Sequence, residues 1–169
     1  DVRVENEVLK IDRDKKQVQV MDFHSGTGYR ENYDKLILSP GAEPVKPPIE
    51  GINSERVFSL RNIPDMDAVD DFIKLKKPKR AVVIGGGYIG LEMAENLCRR
   101  GLLVAVVEML DQVMPTLDKE MAGLLHQHLG EQSIALWLSD AVASFRETDS
   151  HLMIKLRSGM ELSLIHISE

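Results

Sequence analysis

One cysteine, Cys98, stands in a chain of 169 residues. No internal disulfide can form, and a lone thiol fits a reducing compartment, so a cytoplasmic location is expected. Long apolar runs are also missing. Each is broken by glycine or charge well short of the roughly 20 residues that a membrane span needs, so no membrane partner is expected. Basic residues are in deficit: 21 Lys and Arg against 27 Asp and Glu leave a formal charge of -6 at pH 7. Nucleic-acid binding would need a clustered basic surface, and that class is set aside. There is no leader-type segment before the first alternating stretch, and the opening residues read as the middle of a domain. A P-loop lysine and a G-x-S-x-G elbow are absent, as are internal repeats and low-complexity tracts. His126 and His128 are two apart on an expected helix and so point to different faces, with no cluster of metal ligands around them.

What is present suits one ordinary domain or parts of two, with 43% hydrophobic residues for a core and 28% charged residues for a surface. The most informative stretch runs from Arg80 to Glu108. Arg80-Ala-Val-Val-Ile84 reads as a buried strand. Gly85-Gly86-Gly87-Tyr88-Ile89-Gly90 follows, then a helical run to Arg100, a turn at Gly101, and a second strand, Leu102-Leu-Val-Ala-Val-Val107, ending on Glu108. Gly85, Gly87 and Gly90 fill the three positions of G-x-G-x-x-G. The first permits a tight turn, the second lets backbone approach a pyrophosphate, and the third lets helix and strand pack closely. A helix opening here would aim free N–H groups and a positive dipole end at phosphates. Glu108 stands where the fingerprint places an acid for a ribose 2′-hydroxyl, and its charge would repel a 2′-phosphate, which favours NAD(H) over NADP(H). The motif by itself leaves NAD and FAD both open.

The rest of the chain falls around this unit. Residues 1–31 alternate as strands, with turns at Asp12 to Lys16 and His24 to Gly28, and predict a β-meander. Tyr33-Asp-Lys-Leu-Ile-Leu38 predicts a strand of the kind buried in a parallel sheet, stopping at Ser39-Pro40-Gly41-Ala42. Pro44, Pro47 and Pro48 predict an extended connection and a domain boundary. A short strand is expected over residues 57–60. A helix should start at the capping Asn62 and run to about Leu75, its lysines at the favourable C-terminal end. Asp65, Asp67, Asp70 and Asp71 read as the solvated first turns of that helix. A further helix is expected from about Asp118 to Leu129 with Gly130 as its stop, then a third parallel strand over residues 134–138 and a second meander from Ala141 onward. The fold class is therefore α/β: a Rossmann-like dinucleotide-binding domain, a parallel sheet with a β-meander. Cys98 is read as a small buried hydrophobe on the helix after the glycines.

Several of these stretches occur together in one family. Tyr33-Asp-Lys-Leu-Ile-Leu-Ser-Pro-Gly-Ala42, Phe58-Ser-Leu-Arg61, Ile84-Gly-Gly-Gly-Tyr-Ile-Gly-Leu-Glu-Met-Ala-Glu95 and Val107-Glu-Met-Leu-Asp-Gln-Val-Met-Pro-Thr-Leu-Asp118 stand in the order found in flavoproteins. The chain resembles the pyridine nucleotide–disulfide oxidoreductase family, in its CoA-disulfide reductase and NADH oxidase/peroxidase branch. The resemblance implies a partial FAD-binding domain over residues 1–50, a connecting strand and helix over 51–79, and a truncated NAD(P)H-binding domain over 80–161. It implies NAD contacts from Gly85, Gly86, Gly87, Tyr88, Ile89, Gly90 and Glu108. Glu92 matches an acid toward the nicotinamide and flavin edge, and is also read as a first-turn carboxylate complementing the helix dipole. For FAD it implies Val8, the turn Ser39, Pro40, Gly41 and Ala42, and Arg61. Pro40 replaces the usual Thr and removes a hydroxyl and an N–H, while Arg61 reads equally as a solvated loop cation.

The same resemblance implies an FAD-dependent enzyme. Hydride would pass from nicotinamide to flavin, and electrons on to a small-molecule disulfide or peroxide, through a cysteine upstream of Asp1. No catalytic residue is expected within the chain, and the parent protein is expected to be a homodimer. A non-catalytic dinucleotide-binding module is the competing class, with an NADH oxidase and a redoxin-reductase type as rival enzymes. From Leu162 the pattern departs: Leu162-Ser-Leu-Ile-His-Ile-Ser-Glu169 resembles a translated sequencing adapter, and a non-native tail is expected there.

Overall fold

The computed structural model describes residues 1–149 and 151–165. The chain divides into two compact units, Asp1–Ala42 and a second from Glu43 onward. In the first, β1 (Asn6–Asp12), β2 (Gln17–Asp22) and β3 (Thr27–Asn32) form an antiparallel meander in the order β1-β2-β3. Val18 and Val20 of the central strand point to one face, two residues apart, and are its buried pair. The register of β1 on β2 shifts between Val8 and Lys10, a bulge that twists the outer strand.

The expected strand over residues 33–38 is not formed. Tyr33 N–H still donates to Lys16 O (2.9 Å), prolonging the meander by one bond. Beyond it Ile37 and Leu38 are 88% and 66% exposed. A parallel strand exists only through neighbours, and among the described residues of this unit every pairing is antiparallel.

The second unit begins with an irregular segment over residues 43–62. The short strand expected over 57–60 is absent there. Val57 N–H is taken up locally by Ser54 O (3.0 Å), and the Phe58 ring packs edge-on against Phe72 at 5.1 Å. Helix α1 (Ile63–Lys76) follows with the expected start. Asn62 accepts from Asp65 N–H while Asp65 reaches back to the Asn62 N–H, a full capping box with Pro64 in the first turn. Asp70 bridges Lys74 and Arg100 across the surface, and its carboxyl is held below the usual range by hydrogen bonds from those two cations.

β4 (Arg80–Ile84), β5 (Leu103–Val107) and β6 (Ala135–Trp137) form a parallel sheet ordered β4-β5-β6, with α2 (Tyr88–Arg99) and α3 (Lys119–Glu131) as the crossovers. Side chains alternate across it. Ala81, Val83, Val104 and Val106 enter a cluster with Leu91, Ala94, Leu97 and Leu129 of the helices. Val82 and Val107 enter a second cluster with Phe145, Leu152, Ile154 and Leu156. The latter belong to β7 (Val142–Glu147) and β8 (His151–Leu156), which with β9 (Glu161–Ile165) form an antiparallel meander. Burying both faces of the sheet explains its unbroken apolar strands. Each fully buried valine there contributes about 1.5–3 kcal/mol. β4 has no strand on its outer edge among the described residues; a cavity of about 780 Å3 lies against it, walled by α1, α2 and residues 56–60. Residues 162–165 of the expected tail pair with β8 as part of β9; His166 to Glu169 lie outside the described residues.

Both crossover helices end alike. After α2, Leu102 N–H bonds Leu97 O (3.2 Å) and Gly101 N–H bonds Cys98 O (2.8 Å), with Gly101 at φ +87°. This is a Schellman motif, and Leu97 and Leu102 make its buried apolar contact. After α3, Ile134 N–H bonds Leu129 O and Ser133 N–H bonds Gly130 O, each at 2.9 Å. The left-handed position here is Ser133, at φ +60°. The helix therefore runs through Gly130, contrary to the expected stop, and turns three residues later. A non-glycine residue in that conformation costs roughly 1 kcal/mol. Ser133→Gly should raise unfolding stability by about that amount in a urea titration; no change would mean that the serine side chain compensates locally.

Candidate functional site

The glycine turn lies at the carboxyl end of β4, where open parallel sheets place their ligands. Gly85 N–H donates to Val107 O (2.8 Å), adding one rung beyond β4, and its φ of +104° then reverses the chain. Gly86 is buried: its N–H donates to Glu108 Oε2 (2.6 Å) and its carbonyl accepts from Met114 N–H (2.8 Å). Gly87 is the N-cap of α2, in extended conformation and without any capping side chain. A Cβ at Gly90 would fall 1.9 Å from Gly85 O, so helix and turn touch only because that position is bare. At Gly87 the opposite holds. A Cβ there would meet nothing within 4 Å. The second glycine is thus not required by the protein's own packing, and the space in front of it is free.

The entrance of α2 is electropositive. Its ladder starts with Leu91 N–H on Gly87 O (3.0 Å), which leaves the amides before it outside the helix's own bonding. Its first turn carries no acid. Glu92 is the fifth helical residue and exposed, so the expected first-turn dipole role does not apply to it. Tyr88 and Ile89, 70% and 64% exposed, flank the opening.

Glu108 faces this turn from the tip of β5. Its backbone is fixed between neighbours, with N–H on Trp137 O (2.8 Å) and carbonyl accepting from Asp140 N–H (3.1 Å). Its carboxylate is aimed by two amides, Gly86 on one oxygen and Leu110 (2.9 Å) on the other. A carboxylate has about four acceptor positions, so two remain for hydroxyl donors. Met109 and Leu110, 64% and 45% exposed, border it. Residues 85–90 and Glu108 are therefore brought together, while Glu92 is exposed one turn into α2.

The positions implied for FAD divide between the two units. Val8 is exposed on β1 at the bulge, and Ser39, Pro40, Gly41 and Ala42 are exposed and outside any helix or strand. Arg61, in the second unit, pairs with Glu43 (3.5 Å) and caps α1 through its backbone N–H to Asp65 (2.8 Å). Cys98 is partly buried, packed on the helix-side core, with its thiol donating to Gln132 O (3.4 Å). No group of potential metal ligands and no helix long and apolar enough to cross a membrane occurs among the described residues.

A family model described as pyridine nucleotide-disulphide oxidoreductase matches residues 1–166. The chain belongs to that family. Among members, it is 41% identical over 140 residues to an NADH oxidase of Methanocaldococcus jannaschii, covering 82% of this chain and 31% of the relative. It is 34% identical over 160 residues to a coenzyme A disulfide reductase of Staphylococcus haemolyticus, covering 95% and 35%. A water-forming NADH oxidase from Lactobacillus brevis, solved bound to NADH, superposes with a TM-score of 0.83 at 33% identity, over 94% of this chain and 35% of that one. A derivative of that oxidase, engineered to a water-forming NADPH oxidase and solved with NADPH, superposes equally well at 32% identity, over the same shares of the two chains. This chain thus spans about a third of the length of the curated relatives it matches.

Sequence reading missed three members of the site. Val113 packs on the outer side of Gly86, Met114 donates to its carbonyl, and His126 on α3 accepts the Val113 N–H (3.1 Å). Nothing in the hydrophobic period of α3 distinguishes His126, and its partner is thirteen residues away in a loop.

Proposed function

We propose that this chain is the NAD(H)-binding part of an FAD-dependent oxidoreductase that passes reducing equivalents to a disulfide, CoA disulfide among the candidates, or to a peroxide. The observation that carries the reading is the bare Gly87 seat beside an acid-free helix entrance, with Glu108 aimed across it. A diphosphate fits such a seat, since unpaired amides and the dipole end both favour it. Glu108 would hold the adenine-side ribose by its two remaining acceptor positions. A bound nicotinamide would supply the hydride; this chain's residues bind and orient the dinucleotide and contribute no reacting group of their own. For flavin, Val8, Ser39 to Ala42 and Arg61 would supply part of the site, and protein outside this chain would complete it.

The preference for NADH over NADPH follows from charge. The engineered NADPH oxidase differs from its NADH-using parent at a glycine, an acid eighteen residues on, the acid's next two neighbours and a proline seven beyond the acid. Gly90, Glu108, Met109, Leu110 and Pro115 stand at the same intervals here. Titration of the chain with each nucleotide should give NADH binding at least about tenfold tighter than NADPH, a difference of about 1.4 kcal/mol. Equal affinities would remove Glu108 from the ribose site, and no binding of either would remove the dinucleotide reading.

A further inference from the structure

The turn that forms the seat leans on a loop that is itself under strain. Met114 has φ +50°, a left-handed conformation that a methionine rarely adopts. In that conformation its N–H reaches Gly86 O at 2.8 Å. The residue before it, Val113, is fully buried, and its Cγ1 lies only 3.0 Å from where a Cβ on Gly86 would stand. Something must fix this loop. Leu117 N–H closes it onto Met114 O (2.9 Å), and Gln112, itself buried, donates to Leu117 O (2.8 Å). A further buried polar group is the Val113 N–H. With its residue buried, the hydrogen bond available to it is His126 Nε2.

We propose that His126 is a positioning residue for the dinucleotide seat. It acts through Val113 and Met114 on Gly86, and through Gly86 on the Glu108 carboxylate. An imidazole nitrogen accepts only where it carries no proton, so the role requires Nε2 as the acceptor. The role is indirect: His126 holds the loop that holds the turn. Removing the acceptor strands a buried N–H and frees Met114 to leave its left-handed conformation. Gly86 then loses the bond to its carbonyl, and the carboxylate that its N–H aims loses its anchor.

This inference rests on the dinucleotide reading, and the test separates the two. The unsubstituted chain, His126→Leu and His126→Gln are compared for NADH affinity, and for amide exchange at Gly86, Val113 and Met114 without nucleotide. The Gln amide oxygen can stand in for Nε2, whereas Leu fills the space without an acceptor. His126→Leu should keep its helix signal, bind NADH about tenfold more weakly, and exchange the three amides faster. His126→Gln should restore affinity to within about threefold of the starting chain. If the unsubstituted chain binds NADH and His126→Leu binds it equally well, or if Gln fails as badly as Leu, the positioning role is overturned while the seat stands. If the unsubstituted chain does not bind NADH, the dinucleotide reading falls. The exchange rates then still report whether His126 fixes the turn, and unchanged rates at Gly86 and Met114 overturn that as well.

Discussion

Gly87→Asn is expected to abolish NADH binding while leaving the chain as stable as before. Most glycine substitutions in such a turn confound the two effects, because the glycine is needed by backbone or packing. Gly90 is of that kind, with a would-be Cβ inside the van der Waals surface of Gly85 O. Gly87 is not. Its φ of -82° and ψ of -174° suit any residue, and a Cβ there touches nothing. It is also an N-cap, where asparagine is favoured over glycine by a few tenths of a kcal/mol. The new side chain should therefore cap α2 and at the same time fill the space a diphosphate would occupy. The expected loss in affinity is about a hundredfold or more, equivalent to about 2.7 kcal/mol. The urea midpoint should be unchanged or slightly raised. A variant that binds NADH normally would place the phosphates elsewhere.

The second large effect is a reversal of nucleotide preference on exchanging charge at the tip of β5. Glu108→Ala with Met109→Arg removes a carboxylate and sets a guanidinium at a position that is 64% exposed beside it. Each charge-assisted hydrogen bond made or broken is worth about 1.5–3 kcal/mol. The ratio of NADH to NADPH affinity should therefore change by about a hundredfold or more, in favour of NADPH. The double variant should also lose about 1–2 kcal/mol of stability, because the buried Gly86 N–H loses its acceptor. Glu108→Gln separates the effects: its one carboxamide oxygen can keep the buried Gly86 N–H bonded, at the loss of the exposed Leu110 bond and of the charge, so discrimination against the 2′-phosphate should fall at a smaller cost in stability. An unaltered ratio in both variants would show that the carboxylate does not meet the ribose.

How far the sequence disclosed this molecule depends on the range of the interaction concerned. The unit from Arg80 to Glu108 was legible because its signals are local: a strand, three glycines at fixed offsets, a helical stripe and a terminal acid. The Asn62 and Asp65 capping box was legible for the same reason. Residues 33–38 were misread because an apolar run becomes a parallel strand only when neighbours flank it, and its own composition does not record whether they do. The end of α3 was misplaced because a left-handed serine at position 133 carries no compositional mark, while Gly130 does. The link from His126 to Val113 and on to Gly86 joins α3, a loop and the turn, and no periodicity connects them. Glu92 was assigned a first-turn role that its place as fifth residue of α2 rules out.

A crystal structure of the chain with NADH tests the central claim most directly. The expected result is a diphosphate at the Gly87 seat, within hydrogen-bonding distance of the amides that open α2, and ribose hydroxyls on the Glu108 carboxylate. A dinucleotide bound elsewhere, or one seated at the turn with its ribose turned away from Glu108, would contradict it.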